Sequence, residues 1–160
     1  MDHENDGGSI AEVIAVTGPD SQQRDIIALV AAYKERRVTV RSGPGLLTEE
    51  NRPGSRLAIA GFWPAIEYME ERFPYPTIYM ETPIQRGILR SIVEQLFDDP
   101  NGILDALKSG TPGTLVHSVP TIVDFAAYAA CDPADPFWKA HMEALSQWMC
   151  RGRRPRCMTA

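Results

Sequence analysis

LAIAGFWPAIEYMEERFPYPTIYM, residues 57–80, decides how the rest of the chain is read. Leu57 to Ala60 is a short apolar run stopped by Gly61, the pattern of a buried strand. Phe62, Ile66, Met69 and Phe73 then recur at i, i+4, i+7 and i+11, one face of a helix. Glu67, Glu70, Glu71 and Arg72 fall mostly elsewhere on that helix, as solvated residues do. Proline is tolerated in a first helical turn, so the helix is predicted to begin near Trp63 or Pro64. Phe73-Pro74-Tyr75-Pro76 closes it with a stiff turn.

Upstream, Glu12 to Thr17 (EVIAVT) is rich in β-branched residues and reads as a buried strand. Gly18-Pro19-Asp20-Ser21 breaks it, and either Asp20 or Ser21 suits the N-cap of a helix. That helix is predicted over Gln22 to Glu35, because Ile26, Val30 and Tyr33 share a face with Ile27 beside them. Arg36 and Arg37 follow at its carboxyl end, and Val38 to Arg41 alternates as a second strand. Leu46-Leu47 and Ser55 to Ala60 form a candidate hairpin. The order β-α-β-β-β-α is the plan of a thioredoxin-like domain.

Downstream the chain turns helical. Ile84, Ile88, Ile92 and Leu96 make one stripe from Pro83 onward, with Leu89, Val93 and Phe97 beside it. Two adjoining apolar rows predict a helix buried between neighbours. A short helix is predicted over Ile103 to Lys108. Thr121 and Asp124 then have capping-box spacing, with Asp in place of the usual Glu, ahead of the apolar run IVDFAAYAAC. Trp138, Met142, Leu145 and Met149 make a last helical stripe.

With 44% apolar and 23% charged residues, the chain has the composition of a globular protein with a real core. A formal charge of -5 argues against general nucleic-acid binding, which calls for a basic surface. No apolar run reaches the length of a membrane-spanning helix. The acidic start MDHENDGGS lacks the regions of a signal peptide. Three cysteines, an odd number, do not suggest a disulfide framework. A cytoplasmic location is the expectation. His3, His117 and His141 with Cys150 and Cys157 have no zinc spacing, so no metal is expected.

The segments YMEERFPYP and PTIVDFAAYA carry a family likeness. The chain resembles the glutathione S-transferase fold superfamily across most of residues 12–150, and most of all the branch of stringent starvation protein A. The resemblance implies an α/β, thioredoxin-like N-terminal domain in shortened form, followed by an all-α C-terminal domain. The expected division is a tail at 1–9, the first domain at 10–76, the helical domain at 77–150 and a basic tail at 151–160. It also exposes departures. Transferases place a catalytic Tyr, Ser or Cys before the first helix, where this chain has Asp20 and Ser21. Ser21 is therefore either a thiolate-stabilising donor or simply a cap. The family's Ser at the start of the third helix, which holds the γ-glutamyl carboxylate, is replaced by Gly61-Phe62-Trp63-Pro64. There is no room for the usual second helix, and Pro44 stands where the family has a proline before the third strand.

The leading expectation is a regulatory protein that is not an enzyme, binds no cofactor and acts through protein contact. On the resemblance, Pro74-Tyr75-Pro76 would be its contact patch, RNA polymerase holoenzyme its partner and a homodimer its assembly. One alternative is a glutathione-dependent transferase or thiol reductase using Ser21. Another is an assembly subunit unrelated to transcription. The tail residues Arg151, Arg153, Arg154 and Arg156 offer the one route to nucleic acid. Thr121, Asp124 and Pro44 are expected to be structural.

Overall fold

Four strands form one sheet in the order β2-β1-β3-β4, where β1 is Val13–Thr17, β2 Val38–Ser42, β3 Leu46–Glu49 and β4 Ala58–Ala60. This is a computed structural model, and it describes residues 13–17, 20–36, 38–42, 46–49, 58–80 and 82–150. Pro44 and both tails lie outside the described residues. β1 runs parallel to β2, with Ala15 opposite Val40. β3 is antiparallel to both β1 and β4, pairing Leu47 with Ala15 on one side and Ile59 on the other. A parallel pair needs a crossover, and α1 (Ser21–Tyr33) supplies it. β3 begins so soon after β2 ends at Ser42 that no helix fits between them.

The remaining helices are α2 (Phe62–Arg72), α3 (Pro83–Asp98), α4 (Pro100–Leu107), α5 (Ile122–Ala130) and α6 (Pro136–Cys150). α1 is central. It packs on β1 and β2 and also against α5, and its buried face is Ile26, Ile27, Val30, Ala31 and Tyr33. The Tyr33 and Phe125 rings meet at 5.2 Å. Complete burial of a side chain the size of Ile26 contributes about 1.5–3 kcal/mol. α5 is buried over the whole of Ile122 to Ala127, as its all-round apolar sequence requires.

The ends of α1 explain its limits. Asp20 Oδ1 accepts from the amides of Gln22 and Gln23 at 2.9 and 3.3 Å. At the other end the Arg36 amide reaches back to the Ala31 carbonyl and that of Glu35 to Ala32, a Schellman closure. Glu35, at φ 57°, fills the left-handed position that glycine usually takes. α3 opens with a capping box in which Thr82 and Gln85 exchange side-chain bonds and Pro83 leads the helix.

One expectation fails here. α3 is fully buried only at Leu89, Val93 and Leu96, with Ile92 and Phe97 half-buried against the core, whereas Ile84 and Ile88 are 72% and 53% exposed. Periodicity locates an apolar face but does not say whether a neighbour covers it.

Candidate functional site

At the rim above the sheet, the first turns of α1 and α2 carry the residues singled out from the sequence. Asp20 is the cap of α1, so Ser21 is released from that role. It is the first helical residue, it is exposed, and its hydroxyl makes no hydrogen bond among the described residues. It sits at the positive end of the helix dipole, where an anion is favoured.

α2 starts differently. Gly61, at φ 105°, occupies its N-cap with no side-chain cap bond. Pro64 has no N–H, and the aromatics beside it are committed elsewhere. Phe62 is buried against Phe97 with ring centroids 5.3 Å apart. Trp63 donates its indole N–H to Glu94 at 3.3 Å, beneath the Arg90 guanidinium 4.5 Å from the ring. Nothing here supplies the hydroxyl that anchors a γ-glutamyl carboxylate. The residues at this position do not fit that end of glutathione.

Below the rim lies a polar clamp that was not read from the sequence. Lys34, whose side chain is fully buried, donates from Nζ to Glu70 Oε1 at 2.9 Å, to the Phe73 carbonyl at 2.6 Å and to the Pro76 carbonyl at 2.8 Å. The three donors of an ammonium are thus all used. Burial pulls the Lys34 pKa down, and Glu70 opposes that shift. Glu70 also accepts from the Thr77 hydroxyl and the Ile78 amide. The clamp fixes both ends of Phe73-Pro74-Tyr75-Pro76 and leaves Tyr75 outside, 84% exposed. Tyr75–Pro76 is a cis bond.

Nearby, Tyr79 donates its hydroxyl to Glu67 at 2.8 Å, under the Arg86 guanidinium. Burial first, and then Glu67, push the Tyr79 pKa well up, so the phenol keeps its proton.

A second polar cluster is interior. Asp124 accepts from the amides of Leu115 and Thr121 at 2.8 and 2.7 Å, while the Thr121 hydroxyl accepts from Val123. His141, fully buried, accepts at Nδ1 from the Gly113 amide and bonds the Asp124 carbonyl through Nε2, at 2.8 and 3.0 Å. That pattern places the proton on Nε2. Gly113 has φ 89°, and a Cβ there would lie 2.7 Å from Ala144 Cβ. Asp124 and His141 therefore pin the 110–121 loop. Desolvation raises the Asp124 pKa to about 6 against the pull of its donors, and lowers that of His141.

These clusters do not touch Ser21. Cys131 is a free, half-buried thiol whose pKa burial raises, which disfavours the reactive thiolate. Cys150 is disulfide-bonded, an outcome the odd cysteine count did not suggest. No group of side chains arranged to hold a metal occurs among the described residues, and no helix there is long and apolar enough to cross a membrane.

No family model matches the sequence, and no curated protein does. Solved structures do. Maleylacetoacetate isomerase from Anaeromyxobacter dehalogenans 2CP-1, with glutathione bound in its active site, superposes at TM-score 0.64 with 14% identity, over 92% of this chain and 99% of that one. A glutathione S-transferase from Sinorhizobium meliloti 1021 gives 0.62 and 13%, over 94% and 93%. FzlA from C. crescentus gives 0.61 and 18%, over 91% and 89%. The fold is glutathione S-transferase-like, with a shortened thioredoxin-like part followed by helices. The expectation that the chain is not an enzyme is overturned by these neighbours, which include transferases and an isomerase with glutathione in place. At 11 to 18% identity they establish architecture, and the chemistry rests on the residues present.

Proposed function

We propose that the chain is a thiol-using enzyme of the transferase, isomerase or thiol-reductase type, and that Ser21 is its catalytic residue. The observation that carries this reading is the division of labour at α1. Asp20 satisfies the orphan amides, so the exposed Ser21 hydroxyl is left to donate a hydrogen bond to a substrate sulfur. A hydroxyl donor and the positive end of a helix both favour the thiolate over the thiol, and the thiolate is the nucleophile. The start of α2 cannot grip a γ-glutamyl carboxylate as transferases do. The preferred substrate is therefore a thiol recognised without that anchor, and glutathione is the weaker member of any panel.

The test is conjugation of an electrophilic aryl halide by cysteine, cysteinylglycine and glutathione, with the wild type beside Ser21→Ala. Loss of one donor to a developing or bound anion costs about 10²-fold in rate. Equal rates in the two proteins, or no turnover with any thiol, would overturn the reading.

A second reading is favoured by the exposure of Tyr75, which the Lys34 clamp holds out between two prolines. A rigid, amphipathic ring of this kind suits a protein contact. Likeness to the stringent starvation protein A branch supports RNA polymerase holoenzyme as that partner, with the chain as a homodimer. Tyr75→Ala with native pull-down tests it, and an unchanged set of partners would remove it.

A further inference from the structure

Far from this rim in the sequence, α4, the turn after α5 and the first turn of α6 border a cavity of about 220 Å³. Leu104 and Trp138, 8% and 2% exposed, give it an apolar lining, and Asp105, Asp132, Asp135 and Lys108 surround them. Asp135 is already engaged. It accepts from Lys108 Nζ at 2.5 Å and from the Phe137 amide at 2.9 Å. Asp132 spends one oxygen on the Ala134 amide, and the Asp105 carboxylate makes no hydrogen bond among the described residues. Three carboxylates against one ammonium leave the lining anionic. α5 also ends here, at Ala130, so the negative pole of its dipole adds to the same sign.

Trp138 is the independent sign of a ligand. Its indole N–H donates to no group among the described residues. The ring is 2% exposed and lines this cavity. Buried indole N–H groups usually find an acceptor. Among the described residues these carboxylates are not grouped as metal ligands.

We propose that this cavity binds an amine or guanidine of amino-acid size that also carries a hydrogen-bond acceptor. Its cationic group lies against Asp105 and Asp132, and its acceptor meets the Trp138 N–H. The apolar lining takes the intervening methylenes. The site is separate from Ser21, so neither reading depends on the other.

The experiment follows the three tryptophan indole N–H resonances of the full chain by NMR while L-arginine, and separately putrescine, is added. L-Arginine is expected to move the Trp138 resonance saturably, with a Kd of about 1 mM or below. Putrescine, which lacks an acceptor, is expected to bind several-fold more weakly. Asp105→Asn with Asp132→Asn changes surface carboxylates, and should weaken L-arginine about tenfold or more, the size expected for charge-assisted bonds. The proposal is overturned by an unmoved Trp138 resonance, by undiminished affinity in the double variant with its fold intact, or by putrescine binding as tightly as L-arginine.

Discussion

In the seam formed by the 110–121 loop, α5 and α6, Leu115 and Thr121 give their amides to Asp124, and Gly113 gives its amide to His141. At the first turn of α1 the arrangement is reversed, with Ser21 offering an exposed hydroxyl that no described neighbour uses. The seam is built to be satisfied and the rim is built to be available. A buried polar group without a partner costs stability, so the interior tolerates polarity only as a closed set. An exposed hydroxyl costs nothing, so the rim is free to keep one for chemistry.

Breaking the seam should give the largest effect. Asp124→Ala strands two buried amides, and at about 1–3 kcal/mol for each a loss near 3 kcal/mol is expected. Urea denaturation reads this directly, and an unchanged midpoint would mean that the seam is not closed.

The pH dependence sharpens the same contrast. Asp124 holds its proton up to about pH 6 in the folded chain, against 3.8 in the ordinary group, so this carboxyl makes stability fall as pH rises through that window. His141 titrates below its ordinary 6.5 when folded, so its contribution is intact above 6.5 and is lost as pH falls below it. Just below about pH 6 the two oppose each other. Asp124→Asn removes one of them, and its stability should then fall more steeply on acidification, by up to about 1.4 kcal/mol per pH unit. Parallel curves for the two proteins would refute the assignment.

Smaller effects are expected toward the rim. Glu35→Gly relieves a left-handed residue in the Schellman closure of α1 and should stabilise the chain by about 1 kcal/mol in thermal melts. Destabilisation would mean that the Glu35 side chain has a role the backbone does not reveal. Tyr75→Ala should change stability by no more than about 0.5 kcal/mol, because the ring has little to lose. A larger fall would show the ring to be packed.

Much of this was legible. The Phe62, Ile66, Met69, Phe73 face is buried throughout, and the sheet pairs as the β-α-β-β-β-α order predicts. The Thr82–Gln85 box has the same capping-box spacing, in TPIQ. Other features could not be read. AAYKERR looks like a solvated helix end, yet Lys34 is buried, because the carbonyls that receive it arrive from a turn some forty residues later. His141 lies one position off the predicted stripe, and only the folded loop gives it a partner. Ser21 and Asp20 were both suitable caps, and residue preference does not choose between neighbours when both side chains can reach the same amides.

The buried ammonium has a practical corollary. The chain has three lysines, of which Lys108 and Lys139 are exposed and Lys34 is enclosed. An amine-directed acylating reagent will label the first two at once and reach the third only when the Phe73–Pro76 turn lifts away. The slow fraction in a mass spectrum is therefore a clock for that opening, carried by the unmodified protein without any introduced probe.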